Sequence, residues 1–566
     1  MKTSLPLIIA PQSPATIPFF LPATALAIVL GLGSAHAADQ TWTNGASDSL
    51  WNAASTNWTG DAWTAGNNAL FGATGAGAIT VESTQSVGNM TFSAAGYSLT
   101  GGTLSFANTA ASNTLNIGSN DMTISSGLSA AFASSGGSLV KSGAGKLTLN
   151  GTISLTAASG GVALFDFAAG TTEITGGTIN TTDVRLRSSI ANGLTISGGT
   201  LNMGGANVNR GLQINGSGSM AITGGTVNIN SIIIGNGSVG TLNISGGAVN
   251  MTDGNSTVLG ATAAGTLNLN AGTLSANKIV RQGSGSAAAS TINFNGGTFK
   301  ALSNQTASSG LFSIESGSGT MVVNVLAGGA FIDSNGFSVR ISNNLSGAGG
   351  LSKSGSGTLT LSGANTYAGI TTITTGTLAI GSGGSIANSS QIIAGANTTL
   401  DVSGVTFTLG SSAAQTLSGT GSINGNMTVG SQGTLAIGNS AGTMTFNNNL
   451  GLNTGSISNF EINDFTLGNY DLALAATAGT QTVNFDGGTL NLLFQSGFST
   501  SGTVKIFDFD VYEGSGFTTI NSTGLAEGYT ASFDASSGIL TVIPEPHAAL
   551  LGGLGMLALL RRRRDV

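Results

Sequence analysis

One short phrase returns six times between Ile174 and Phe299: I-T-G-G-T-I-N, I-S-G-G-T-L-N, I-T-G-G-T-V-N, I-S-G-G-A-V-N, L-N-A-G-T-L-S and F-N-G-G-T-F-K. The glycines that mark the copies are Gly177, Gly199, Gly225, Gly247, Gly272 and Gly297, spaced 22, 26, 22, 25 and 25 residues apart. Alternating apolar and polar residues precede four of them, at 220–223, 242–245, 267–270 and 292–295, and a second alternating run follows each. Such alternation predicts half-buried strands, and the glycine between two of them a tight turn. A unit of about 20–25 residues cannot bury its own apolar face, so the units must stack. Stacked about 4.8 Å apart, every backbone donor and acceptor finds a partner on the coil above or below, and inward Ile, Leu, Val and Phe side chains form ladders. The expectation is an all-β chain, a right-handed parallel β-helix or closely related β-solenoid.

Other architectures fit less well. A leucine-rich repeat has a similar period but needs an L-x-x-L-x-L framework that is absent here. Glycine, 90 of 566 residues, excludes helical repeats. A string of sandwiches would show irregular spacing and about seven strands per 100-residue unit. A Gly/Ser-rich chain with 7% charged residues also fits a flexible linker, but 40% of residues are apolar and recur in register.

Composition then limits the chemistry. Both histidines, His36 and His547, lie in terminal segments that read as addresses, and there is no cysteine. A chain trimmed of those segments keeps 11 basic and 21 acidic residues, a formal charge of −10. It has no Ser-His-Asp triad, no Cys-His pair and no His/Cys zinc site. Its acidic, lysine-poor surface suits neither nucleic acid nor anionic lipid, whose binding rests on Lys and Arg. No cofactor is expected.

Carboxylate chemistry remains open. Asp508 and Asp510 stand two apart on an expected strand, about 6.5–7 Å between α-carbons on one face, and Glu461 with Asp464 forms a second pair. Such pairs serve glycoside hydrolysis or grip calcium, but equally keep the solvent face of a strand soluble, which is the reading preferred here. Lys505 is the only basic residue near Asp508, and Arg185 and Arg187 stand close to Asp183. Asn202, Asn228 and Asn250 follow the repeat strands at one position, which predicts a hydrogen-bonded ladder that holds register.

The ends carry the first resemblance. Pro544-Glu545-Pro546 precedes a 13-residue apolar run from Ala548 to Leu560, then Arg561, Arg562, Arg563 and Arg564. The run is short of the roughly 20 residues a stable span needs, and arginines resist translocation. Motif, Gly-rich apolar segment and arginine cluster resemble the PEP-CTERM sorting signal of Gram-negative envelope proteins. That resemblance implies transient inner-membrane insertion of this transmembrane handle, cleavage by an exosortase-type enzyme, and delivery to the cell surface or extracellular matrix. At the other end an apolar stretch, 19–33, leads to Ala35-His36-Ala37, a signal peptide for signal peptidase, with a retained anchor as the alternative.

A second resemblance covers the centre. From Gly349 the chain reads G-G-L-S-K-S-G-S-G-T-L-T-L-S-G-A-N-T-Y-A-G-I-T-T-I-T-T-G-T-L-A-I-G, similar to the autotransporter-associated β-strand repeat, with Gly357, Asn365, Tyr367, Gly369 and Gly376 among the positions that match. Residues 136–151, G-G-S-L-V-K-S-G-A-G-K-L-T-L-N-G, form a partial copy without N-T-Y. This implies the passenger-type β-helix of secreted adhesins, without a catalytic residue. A translocator barrel is not expected, since it would need about a dozen spanning strands.

All four tryptophans, Trp42, Trp51, Trp58 and Trp63, cluster near the start of the trimmed chain. Their expected task is to cap the open first coil, with sugar stacking by Trp58 and Trp63 as the alternative. The expected organisation is a signal peptide at 1–37, an N-terminal cap and first coils at 38–130, β-helix repeats at 131–455, C-terminal coils or a small β-sandwich at 456–542, and the sorting signal at 543–566. The function this predicts is a non-enzymatic, adhesin-like structural protein of the cell surface or matrix. The alternative is a carbohydrate-binding or polysaccharide-degrading β-helix, and extracellular polysaccharide is the expected partner.

Overall fold

A computed structural model describes residues 37–562 except 108–111, 134–135, 159–162, 206–210, 253–255, 283–288, 307–309, 317–318, 439, 477–478 and 546–547. The expected signal peptide therefore lies outside the described residues, apart from Ala37, as do Pro546, Arg563 and Arg564.

Alternation along the sequence becomes burial alternation in the strands. Thr226–Ile229 and Ser290–Phe294 each bury every second side chain, with Val227, Ile229, Ile292 and Phe294 all at 0% exposure. The strands stack in parallel into a solenoid, as the repeats require. A 12-stranded first face runs from Asp39–Trp42 to Phe312–Ser316, and a 28-stranded sheet supplies two further faces. Register follows the sequence repeat: Thr178 pairs with Thr200, Thr200 with Thr226, and Thr226 with Ala248. Each coil thus lays like residue on like, and the inward positions merge into one continuous core.

Second and third faces meet at the glycine corner. Gly247 has φ +68°, and a Cβ there would stand 2.6 Å from the carbonyl oxygen of Gly225 on the preceding coil. Gly177, Gly199, Gly225 and Gly272 share this left-handed conformation. The sixth copy departs from expectation. There the left-handed residue is Gly296, with φ +104°, rather than Gly297. Where corners are tight the strands run through them, so Gly240–Met251 and Gly265–Ala276 each serve both faces.

Beyond residue 455 parallel coils persist rather than give way to a sandwich. Ile457–Ile462 pairs with Thr489–Phe498, and that strand with Thr519–Leu525. A three-stranded antiparallel sheet of Gly502–Lys505, Ile539–Pro544 and Tyr529–Asp534 then closes one side of the end, over the clustered rings of Phe485, Phe507, Phe517 and Phe533.

Candidate functional site

The N-terminal tryptophans form a plug. Trp58 lies 4.5 Å from Trp63, 4.8 Å from Trp51 and 5.2 Å from Trp42, ring centre to ring centre. Phe71, Phe92 and Tyr97 continue the cluster into the next coils. Trp58 is 3% exposed and Trp63 5%. A sugar needs an open ring face, and neither ring offers one, so the geometry is that of the cap.

The carboxylate pairs do not converge. Asp508 ends the two-residue strand Phe507–Asp508, and Asp510 falls in the bend beyond it, so the two do not share a continuous strand face. Asp508 is held by Lys505 at 2.7 Å, while Asp510 accepts the Gln481 amide at 3.0 Å. Asp464 accepts from Thr466 N at 2.6 Å and Asn469 Nδ2 at 2.8 Å, tying its own turn, whereas Glu461 belongs to the strand Ile457–Ile462. No three acidic or histidine side chains gather in metal-binding fashion among the described residues. Arg187 bonds Asp166 on the preceding coil through two nitrogens, at 2.5 and 3.2 Å.

Among the described residues, two of the surface depressions are open and shallow. One of about 430 Å³ is lined by Ser403, Phe407, Asn424, Asn426 and Asn448, the other of about 420 Å³ by stacked glycines with Phe331 and Ile370 at its rim. Neither lining contains an acid or a base, so neither can move a proton between side chains.

The asparagine ladder forms as expected. Asn202 donates to Asn180 at 3.0 Å, Asn228 to Asn202 at 2.8 Å, and Asn250 to Asn228 at 3.0 Å. A second ladder, not anticipated, runs up the neighbouring face through Asn243, Asn268, Asn293 and Asn324, with bonds of 2.7, 2.7 and 2.8 Å. Its signal was legible as L-N-I, L-N-L, I-N-F and V-N-V one strand earlier in each coil. A third joins Asn459, Asn491 and Asn521 near the C-terminal end.

Two buried lysines were also missed. Lys141 Nζ donates to the carbonyls of Gly143, Gly145 and Ala169 at 2.8, 2.7 and 2.5 Å. Lys353 Nζ does the same for Ser354, Gly355 and Thr375 at 2.8, 2.7 and 3.0 Å. Both side chains are fully buried, and burial pushes both ammoniums down to about 8, against the pull of Asp121 and Asp333 respectively. The shared K-S-G-x-G phrase was the available signal, since a turn of three small residues leaves carbonyls that an inward ammonium can satisfy.

At the far end, Pro544 and Glu545 are exposed where the last strand stops. The helix Ala548–Arg562 follows, with Leu554, Met556, Leu557, Leu559 and Leu560 each more than 60% exposed. Its 15 residues rise only about 22 Å at 1.5 Å each, short of a hydrocarbon core of about 30 Å. Among the described residues no helix is long and apolar enough to cross a membrane, which corrects the expectation of a transmembrane helix.

Comparison with known proteins bears on the centre of the stack. Residues 351–380 match the model of the passenger-associated-transport-repeat. They form one coil and its return: Leu351–Ser354 pairs with Thr371–Ile373, and Thr358–Leu361 with Thr377–Ile380. No curated protein matches the chain, and neither does any solved structure. The repeat implies an exported, passenger-like surface protein of a Gram-negative bacterium, and in this chain it is set within the parallel solenoid.

Proposed function

We propose that the chain is a non-enzymatic, adhesin-like scaffold of the cell surface or extracellular matrix, delivered by its C-terminal PEP-CTERM signal. The observation that carries this reading is the passenger-associated repeat at 351–380, set as one ordinary coil in a long parallel stack. The repeats between Gly177 and Gly297 differ in length by only four residues, which leaves little room for long loops around a cleft there, and Asp508, Asp510 and Asp464 are engaged by Lys505, by the Gln481 backbone and by their own turn. The sorting half rests on Pro544-Glu545 standing exposed at the end of the last strand, just ahead of an apolar helix. A helix too short to span stably suits a handle that is inserted, cut and discarded, with signal peptidase and an exosortase-type enzyme as the processing partners.

Fractionation of producing cells with intact-mass measurement tests the reading. The expected product is found at the surface or in the matrix and has lost mass at both ends. A mature envelope form still carrying Arg561 to Arg564 overturns the sorting assignment, and a cytoplasmic product overturns the exported scaffold. Incubation of the purified protein with matrix polysaccharide is expected to release no oligosaccharide.

A further inference from the structure

Outward side chains on the second and third faces fall into paired columns. On the third face Thr200 pairs in register with Thr226, and Thr273 with Thr298, with Ala248 between the two pairs. Beside this column runs the Asn180-to-Asn250 ladder. On the second face Thr241, Thr266 and Thr291 stack beside Asn243, Asn268 and Asn293. Threonine precedes asparagine by two residues at Thr200, Thr226, Thr241, Thr266 and Thr291, while Ser275 and Lys300 take the asparagine position after Thr273 and Thr298; the columns stand about 6.5–7 Å apart and the rungs about 4.8 Å. The threonines are half-buried, with their outer surface in solvent.

The ladder bonds fix how these amides point. Each interior asparagine uses one N–H toward the preceding coil and one oxygen lone pair toward the next. An amide has two N–H donors and two lone pairs. One donor and one acceptor therefore remain at each interior rung, in one orientation, beside a threonine hydroxyl and methyl. The strands of these two faces carry no charged residue from Leu194 to Phe299. Charge borders this stretch, with Lys300 following Thr298 in its strand and Glu173, paired with Lys146, one coil before Thr195, and it recurs at the first face in the Arg187–Asp166 and Lys278–Glu315 pairs.

We infer that this uncharged Thr–Asn band binds a neutral linear polysaccharide laid along the solenoid axis. This rests on the exported-scaffold reading, because that is where the chain would meet such a polymer. A charged polymer would surrender hydration here without meeting a counter-charge. A neutral glycan presents hydroxyls that both donate and accept at regular intervals, with C–H faces to lie on the threonine methyls. Each contact is weak, and repetition along the ladders adds them through effective concentration.

Co-sedimentation of the purified full chain with microcrystalline cellulose and with insoluble mannan tests the inference, with alginate gel as the acidic control. The comparison is a Thr226→Val/Thr266→Val/Thr273→Val variant. Valine keeps shape and strand preference and leaves both ladders intact, so its circular dichroism and thermal midpoint should match the parent. Retention on at least one neutral polymer, weakened on the order of tenfold or more in the variant, supports the band as the site. Retention on neither neutral polymer overturns it, as does equal retention by the variant or retention on alginate alone. Inhibition of ice recrystallisation without glycan retention would show instead that the array recognises ordered water. Where the protein resides in cells is read separately by fractionation, so failure of the export reading and failure of this one are distinguishable.

Discussion

Lys353 reaches across to the next coil and donates to the Thr375 carbonyl at 3.0 Å while tying the carbonyls of its own turn. Lys141 repeats the arrangement with Ala169. In both, one ammonium binds a loose glycine turn to its neighbour, where no strand hydrogen bond can. Replacing Lys353 with methionine preserves bulk but leaves three carbonyls without that donor. Lys353→Met should lose about 1–3 kcal/mol of stability, seen as a lower urea midpoint with earliest proteolysis near residues 354–376. An unchanged midpoint would mean water replaces the ammonium at no cost.

At the glycine corner the constraint is steric. Gly247→Val places a branched side chain at φ +68° and against the Gly224 and Gly225 carbonyls. A loss of at least about 1–3 kcal/mol is expected from backbone strain alone. Because coils support one another, hydrogen exchange should quicken on both flanking coils rather than at one turn. Protection lost only at residue 247 would argue that the coils are energetically independent.

The tryptophan plug predicts its own response to truncation. Trp58→Ala empties a buried site and should cost about 3–5 kcal/mol, while the wild-type emission stays blue-shifted and unquenched on adding oligosaccharides. Sugar-dependent quenching would instead give these rings a ligand.

Stability should follow pH in two opposite limbs. Burial pushes the Asp471 carboxyl up to about 7, outweighing its bonds from Glu461 N and Gly442 N. Between about pH 4 and 7 the folded chain holds this proton while the unfolded chain has lost it, so stability falls as pH rises through that window. The two lysines, lowered to about 8, act in the reverse sense. From pH 8 toward 10 the unfolded chain holds their protons and the folded chain does not, so stability rises. Urea midpoints at pH 5, 7, 8 and 10 check both limbs, and Asp471→Asn should flatten the first alone.

The regular part of the fold was legible because backbone pairing forces like onto like. Ile179, Leu201, Val227 and Val249 occupy one inward column because the sequence repeats them, and Asn202, Asn228 and Asn250 one outward column for the same reason. Harder to read were contacts between residues that no repeat links. The partner of Arg187 is Asp166, 21 positions earlier, a contact across coils that nothing in the local sequence marks. Asp508 and Asp510 look like one face only if the strand continues, and it stops at Asp508. Lysine in the core ran against the ordinary expectation that ammoniums stay in water, until three carbonyls were seen to converge on each.

The aromatic plug is complete once the chain has been made as far as Tyr97, since its rings all lie between Trp42 and Tyr97. Every later coil then finds a finished edge to build on, and the growing end faces the direction of synthesis. Such a molecule can assemble vectorially, each turn templated by the one before it, as the chain emerges amino end first. The capped start therefore acts as a seed, and the length of the filament is set by how many turns the message encodes.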